Sequence, residues 1–316
     1  MPAVAILDSD FPELDLESRQ ITAAGLTFID PGDVTEGSAP GVKGLVVQWV
    51  RVDGALLDRF PDVEVVGRYG VGVDSIDMTE AAQRNIRVVT SGDYATEEVS
   101  IHAITLALAL LRHLRAADEA TRSGAWIDFP AWREARRLSE LTVGVVGLGR
   151  IGRRVAGAFA ALGARVVGFD PAVAAADVET VEAIEELLER SDIVTLHVPL
   201  APGAPPLLDA AAIARMRSGA ILVNTARGGL VDTDALVDAL VRGHLGGAGL
   251  DVFETEPLPA GHPLTALPDV ILTPHIGYYS VEALLEARRR TIAGVIDVIQ
   301  GREPLYPAVG PVTGTS

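Results

Sequence analysis

Short apolar runs alternate with longer amphipathic stretches along almost the whole chain, the pattern of parallel strands covered by helices on both faces. In the first third, AVAIL (3–7), LTFI (26–29), GLVVQ (44–48), VEVVG (63–67) and IRVVT (86–90) read as strands, with helical turns around LLDRF and TEAAQRN between them. This predicts a small α/β unit. The stretch TEEVSIHAITLALALLRHLRAADEATRSG (96–124) predicts one long helix with Thr96 as N-cap, two glutamates in its first turn and basic residues further on, in keeping with the helix dipole. It is apolar on most of its face and is expected to lie buried between domains. Strands resume from about Leu141 and continue through DIVTLHVPL (192–200), AILVNTA (220–226), GAGLDVF (247–253) and VILTPHI (270–276). A last amphipathic pattern, 280–301, could return to the first unit, and the tail 307–316 reads as disordered.

The second strand series opens on a phosphate-binding signature. In TVGVVGLGRIGRRVAGAFAALGARVVGFDP (142–171) an apolar strand runs into Gly147, Gly149 and Gly152 and then into an Ala-rich helix. Gly147 allows the tight turn, Gly149 lets backbone approach a pyrophosphate, and Gly152 lets helix pack on strand, while free N–H groups at the helix start face the phosphates. The next strand ends in Asp170, where an acid accepts both adenosine ribose hydroxyls. That acid repels a 2′-phosphate, and Pro171 follows where a phosphate-binding arginine would sit. NAD is therefore expected over NADP, with Arg150 and Arg165 leaving NADP open. The expected architecture is two Rossmann-like doubly wound α/β domains. A cofactor domain (96–281) is inserted into a smaller, discontinuous substrate domain (1–95 and 282–316).

Three later strands run out into chemistry: AILVNTARG (220–228) into Arg227, GAGLDVFETEP (247–257) into Glu256, and VILTPHIG (270–277) into His275. Open α/β sheets bind ligands beyond the carboxyl ends of their strands, so the three should converge. A fixed cation, a carboxylate and an imidazole suffice to reduce the carbonyl of an anionic substrate. Read singly, each has a bland alternative: a surface ion pair, a loop carboxylate and a core histidine.

Composition narrows the field. At 316 residues, 48% hydrophobic and 22% charged, the chain suits two packed domains. A net charge of −17 disfavours nucleic acid and anionic membrane surfaces as partners. Zero cysteines remove disulfides, thiolate catalysis and cysteine-ligated metals, and the six histidines show no H-E-x-x-H spacing, so no metal is expected. The N-terminus lacks the pattern of a signal peptide and AITLALALL (103–111) is too short to span a bilayer, which makes the cytoplasm the expected location.

Taken together, GRYGVGVDSID (67–77), GLGRIG (147–152) with Asp170, HVPL (197–200), NTARGGLVD (224–232), LDVFETEP (250–257) and TPHIG (273–277) make the chain similar, over nearly its whole length, to the D-isomer-specific 2-hydroxyacid dehydrogenases. DYATEEV (93–99) and HIGYYS (275–280) resemble in particular the branch that contains the C-terminal binding proteins. The resemblance implies reversible, NAD-dependent reduction of a 2-oxo acid to a D-2-hydroxy acid. Arg227 would hold the substrate carboxylate and polarise the carbonyl, and His275 would deliver the proton. Glu256 would orient the imidazole and favour its protonated form. The cofactor would lie against Gly147, Gly149, Arg150, Ile151, Gly152, Asp170, His197, Val198, Pro199, Thr225, Ala226, Arg227, Asp251, His275 and Gly277. Within that set, Asp251 would take the nicotinamide carboxamide and Thr225 the nicotinamide face. The loop of Gly70, Val71, Gly72 and Asp74 would offer backbone N–H groups to the substrate carboxylate; a plain glycine turn fits those residues equally.

Departures from the family pattern shape the substrate expectation. VVQWVRVD (46–53) has Gln48 and Trp49 where a phosphate wants charge, which disfavours 3-phosphoglycerate, although Arg51 keeps D-3-phosphoglycerate dehydrogenase open as an alternative. No regulatory domain, as a serine-sensing version would need, is expected after residue 316. Trp49, Val50, Tyr69, Tyr278 and Trp132 could wall a pocket for a hydrophobic 2-oxo acid, or serve as ordinary core or interface residues. Ile101 stands where the branch commonly has an acid, and a proline pair replaces a Thr-rich segment in APGAPPLLD (201–209). A second class of function, an NADH-sensing protein without turnover, would tolerate loss of the Arg227, Glu256 and His275 set, which this chain retains. The aromatic and basic segment 126–141 is expected to cross to a partner subunit in a homodimer.

Overall fold

Every apolar run of the first third becomes a parallel strand, since runs rich in valine and isoleucine fit a sheet buried on both faces. The computed structural model describes residues 1–34, 39–126, 135–173, 178–201 and 203–308. Strands β1 (Ala3–Ile6), β2 (Thr27–Ile29), β3 (Val42–Val47), β4 (Val65–Arg68) and β5 (Arg87–Thr90) pair in the order β2-β1-β3-β4-β5. The order reverses between β1 and β3, where Ala5 lies opposite Leu45. Helices α1 (Asp15–Ala23), α2 (Gly54–Asp58) and α3 (Met78–Gln83) connect these strands. A last helix, α10 (Val281–Ile299), is capped by Ser280, whose Oγ accepts from Ala283 N at 2.9 Å. It buries Ile292, Val295 and Ile296 with Val4, Val46 and Val65, so the C-terminal helix does return to the first sheet. These elements form one unit, Met1–Tyr94 with Ser280 onward; the second is Ala95–Tyr279.

In the second unit, β6 (Thr142–Val146), β7 (Arg165–Phe169), β8 (Glu179–Thr180), β9 (Ile193–Leu196), β10 (Ala220–Asn224), β11 (Leu245–Leu250) and β12 (Val270–Leu272) pair in the order β12-β11-β10-β9-β6-β7-β8, all parallel. Numbered from β6, this is the doubly wound 3-2-1-4-5-6 order with one further strand, and its switch point lies between β6 and β9. Helices α6 (Arg150–Ala161), α7 (Ile184–Arg190), α8 (Ala210–Arg215) and α9 (Thr233–Val241) make the crossovers.

The expected long helix is two. Helix α4 (Thr96–Leu111) ends two residues before His113, whose backbone adopts φ +48°, and α5 (Leu114–Arg122) continues after a 60° bend. The apolar run stops at Leu111 and α5 buries no residue, so no packing keeps the two collinear. Thr96 is the first helical residue and Ala95 is the cap, without a side-chain hydrogen bond. Helix α4 buries Ala103, Leu106, Ala107 and Leu110 inside the second unit, with Val143, Ile193 and Val223. Among the described residues no single helix is long and apolar enough to cross a membrane, although α4 and α5 pass that test as a bent pair.

One buried ionic network ties the first unit together. Glu17, fully buried on α1, accepts from Arg288 Nε at 2.6 Å and Arg288 Nη2 at 2.7 Å, and from the Tyr69 hydroxyl at 3.2 Å. Arg288 also lies over the Phe11 ring, and burial followed by the Glu17 charge raises the Tyr69 phenol well above its ordinary range. Removing one member of a buried pair strands the other charge. Arg288→Met should therefore destabilise this unit by about 3–5 kcal/mol, while Glu17→Leu with Arg288→Met should recover most of the loss. Urea unfolding followed by tryptophan fluorescence would measure both; equal stability of the single and double variants would refute this account.

Candidate active site

All seven strands of the second sheet point the same way, so their run-outs share one edge, and the candidate residues are found there. Gly147 follows β6, Asp170 follows β7, His197 follows β9, Arg227 follows β10, Asp251 follows β11 and His275 follows β12. The central observation is a short contact between two of them. His275 Nδ1 lies 2.7 Å from Glu256 Oε2, and Glu256 Oε1 accepts from Phe253 N at 2.9 Å. Burial opposes ionisation of Glu256, yet the hydrogen bonds from His275 and Phe253 outweigh it and hold the carboxyl below its ordinary range. An ionised acceptor at Nδ1 requires that nitrogen to carry a proton, leaving Nε2 as the atom available for exchange with substrate. His275 has φ +53°, an uncommon backbone for a residue with a side chain. The Tyr278 ring packs edge-on to it at 6.2 Å.

Arg227 is aimed by a residue outside the expected site set. Asn224, 1% exposed at the end of β10, donates from Nδ2 to Arg227 O at 2.8 Å and accepts from Ala226 N at 3.0 Å, closing the turn between them. Arg227 Nη1 donates to Ala226 O at 2.7 Å. The next residue, Gly228, lies so close to the Glu256 loop that a Cβ there would sit 1.9 Å from Phe253 C and 2.4 Å from Glu254 N. The cation loop and the carboxylate loop thus touch backbone to backbone. A polar residue ending a buried strand just before an arginine was the available signal for Asn224.

The cofactor candidates fit a dinucleotide. Gly147 has φ +92°, and a Cβ on Gly152 would fall 1.8 Å from Gly147 O, so neither tolerates a side chain. Around Gly149 a Cβ would meet nothing within 4 Å, leaving open space at the start of α6, which opens without a side-chain cap. Arg150 and Ile151 begin that helix. Thr225 Oγ1 is buried with no hydrogen-bond partner, an orphan polar atom of the kind a bound group would satisfy. Asp170 Oδ2 accepts from Leu148 N at 2.8 Å and Oδ1 from Ala172 N at 2.9 Å; each oxygen retains a lone pair for a ribose hydroxyl. Arg165 is placed differently from expectation. It starts β7 and donates to Glu140 O, about 16 Å along the strand from Asp170, too far to meet a 2′-phosphate at the other end.

His197 Nε2 lies 2.9 Å from Thr195 Oγ1, and burial pushes the imidazole down to about 4, so it is neutral at pH 7. Its carbonyl borders Gly147, and Val198 is partly buried against the core, while Pro199 is exposed. Asp251, 2% exposed, is already engaged. Its carboxylate accepts from Thr273 Oγ1 at 2.6 Å, Ile276 N at 2.9 Å and Gly277 N at 2.8 Å. Burial opposes its charge, and hydrogen bonds from His102, Thr273 and the backbone outweigh that cost and lower its range.

In the first unit the substrate candidates divide. Trp49 is exposed, with its indole N–H on Asp10 at 2.7 Å and Arg68 over its ring, and the backbone of Gln48, Trp49 and Val50 donates to the Asp8 carboxylate. Tyr69 is not a pocket wall: its ring is 5% exposed in the core and its hydroxyl is held by Glu17. Gly70 N donates to Ser91 Oγ at 2.9 Å, so of the loop's N–H groups this one is committed inside the unit. Val71 is half exposed, and Gly72 follows it in the same loop. Trp132, and residues 127–134 of the expected subunit-crossing segment, lie outside the described residues, as does 309–316 of the tail.

A family model for D-isomer specific 2-hydroxyacid dehydrogenase, NAD binding domain, matches residues 104–277. The chain is 38% identical over 262 residues to a glyoxylate reductase of Thermofilum pendens, covering 80% of this chain and 77% of that protein. The chain belongs to the D-isomer-specific 2-hydroxyacid dehydrogenase family. It is also 40% identical over 271 residues to a (S)-sulfolactate dehydrogenase of Chromohalobacter salexigens (83% and 86% covered). A D-3-phosphoglycerate dehydrogenase of Mycobacterium leprae is 37% identical over 297 residues, which are 90% of this chain but 54% of that protein; the chain spans about half its length. Among solved structures, the D-lactate dehydrogenase of Aquifex aeolicus, complexed with NAD and lactic acid, superposes with a TM-score of 0.86 at 30% identity, covering 98% and 99% of the two chains. An NADPH-dependent glyoxylate/hydroxypyruvate reductase of Sinorhizobium meliloti superposes at 0.85 with 28% identity, covering 98% of each. Of these two similar structures, one holds NAD and the other is NADPH-dependent. The narrower likeness to the C-terminal binding proteins rests on the motifs alone.

The depressed His197 fixes an acid window for stability. Unfolded, the imidazole takes a proton below about 6.5; folded, it resists until about 4, so stability is intact above 6.5 and falls between those values by at most about 3 kcal/mol. His197→Gln should flatten that part of the profile, read as the change in urea midpoint between pH 7 and pH 5. An undiminished change in the variant would count against the assignment.

Proposed function

We propose that the protein reduces a small 2-oxo acid to the D-2-hydroxy acid with NADH, reversibly. The observation that carries this reading is the Glu256–His275 contact at 2.7 Å, with Glu256 itself held by Phe253 N. The Gly147–Gly152 loop, Asp170 and Thr225 would hold a nicotinamide dinucleotide, which when bound would supply a hydride for the carbonyl carbon. His275 gives its Nε2 proton to the carbonyl oxygen, and Glu256 stabilises the charge on the imidazole before transfer. Arg227 binds the substrate carboxylate and draws electron density toward the oxygen. In the oxidative direction His275 is the base. Asp170, with Arg165 turned to the far end of β7, supports NAD over NADP. Tyr278, edge-on to His275, remains a candidate wall for the substrate side chain. The uncharged Gln48–Trp49 pair favours a 2-oxo acid without a phosphate. We place the enzyme in the cytoplasm as a homodimer.

NADH and NADPH oxidation against glyoxylate, hydroxypyruvate, pyruvate, branched-chain 2-oxo acids, 4-methylthio-2-oxobutyrate, phenylpyruvate and phosphohydroxypyruvate would test this. At least one should turn over with NADH preferred, and His275→Ala should lower kcat by about 10²–10⁴-fold. Tight NADH binding without turnover on any substrate would instead favour an NADH-sensing protein.

A further inference from the structure

We propose that His102 and Thr273, acting through Asp251, are positioning residues for His275. This rests on the proposed role of His275 as acid and base. Three successive backbone N–H groups of the histidine loop end on one residue: His275 N donates to Asp251 O at 2.8 Å, Ile276 N to Oδ1 at 2.9 Å and Gly277 N to Oδ2 at 2.8 Å. That tripod sets the left-handed backbone from which the imidazole reaches Glu256.

The tripod has its own support. Asp251 is ionised and can only accept, so the Thr273 hydroxyl, 2.6 Å from Oδ1, must be the donor between them. Thr273 Oγ1 is then the acceptor for His102 Nε2 at 2.9 Å, which assigns the Nε2–H tautomer to His102. His102 Nε2 also lies 3.4 Å from Asp251 Oδ1. The His102 ring packs beside Gly277, where a Cβ would stand 3.4 Å from its Cδ2 and 2.8 Å from Asp251 Oδ2. His102 belongs to α4, whose apolar face is anchored in the core of the same unit, so the chain from His102 through Thr273 to Asp251 fastens the catalytic loop to a rigid element. Neither His102 nor Thr273 belongs to the proposed cofactor or substrate contacts. Both therefore report on positioning alone, which Asp251, expected beside the nicotinamide, does not.

The test compares Thr273→Val, which removes the hydroxyl at constant shape, with Thr273→Ser and His102→Phe in the intact protein. On the best 2-oxo acid, Thr273→Val should lower kcat by roughly 10- to 100-fold, the cost of a small misplacement of a reacting group. The NADH dissociation constant, read from cofactor fluorescence, should stay within about twofold. Thr273→Ser should restore kcat, and His102→Phe should lose it in the same sense. A second readout needs no substrate. The downfield proton resonance of the His275–Glu256 hydrogen bond should weaken in Thr273→Val and return in Thr273→Ser. A normal kcat and an unchanged resonance in Thr273→Val would overturn the proposal, as would a loss that follows NADH affinity or melting temperature and is not rescued by serine. If the unaltered protein reduces no 2-oxo acid, the proposed reaction falls, and the resonance still decides the positioning role.

Discussion

Parallel pairing is the constraint on which the rest of the second unit depends. Strands that all run in one direction must all release their chains at the same edge, and crossover helices on both faces leave that edge uncovered at the switch point between β6 and β9. Residues far apart in sequence, from Gly147 to His275, are gathered by that rule alone. Burial does the rest. Strands β6, β9 and β10 are buried along their whole length, which fixes their register and therefore the height at which each loop departs.

Carboxylates at strand ends then shape those loops. Asp8, after β1, gathers the N–H groups of Gln48, Trp49 and Val50; Asp170, after β7, takes Leu148 and Ala172; Asp251, after β11, takes Ile276 and Gly277. Each anchors a loop from a neighbouring strand, so each closes the gap between two strands beyond the point where the ladder ends. An ionised acceptor makes stronger bonds to N–H than a neutral one, which suits loops that must hold functional groups in fixed places. Part of the chain's large acidic excess is thus spent inside the architecture rather than on solubility.

Strand positions, the doubly wound order and the returning helix α10 were legible because apolar periodicity is local and the glycine spacing is tied to one kind of turn. The bend at His113 was not, since it depends on where α4 runs out of core to pack against. Side-chain direction was equally hidden. Tyr69 reads as a pocket aromatic until Glu17 and Arg288, distant in sequence, are seen to claim its hydroxyl. Arg165 reads as a possible phosphate ligand until the strand carries it to the opposite end from Asp170. His102 belongs to no motif, and Thr273, although it opens TPHIG, shows nothing of its partners in the sequence; the two meet only because α4 lies against the loop after β12.

The contact between Gly228 and the Phe253–Glu254 backbone has a consequence for redesign. Because two main chains meet there with no side chain between them, the segment carrying the arginine and the segment carrying the glutamate share one shape, and neither can be lengthened or reshaped without the other giving way. Loops exchanged with a relative to change the preferred acid would have to travel as a matched pair. A graft of one alone would set a foreign backbone against a surface that has room only for glycine.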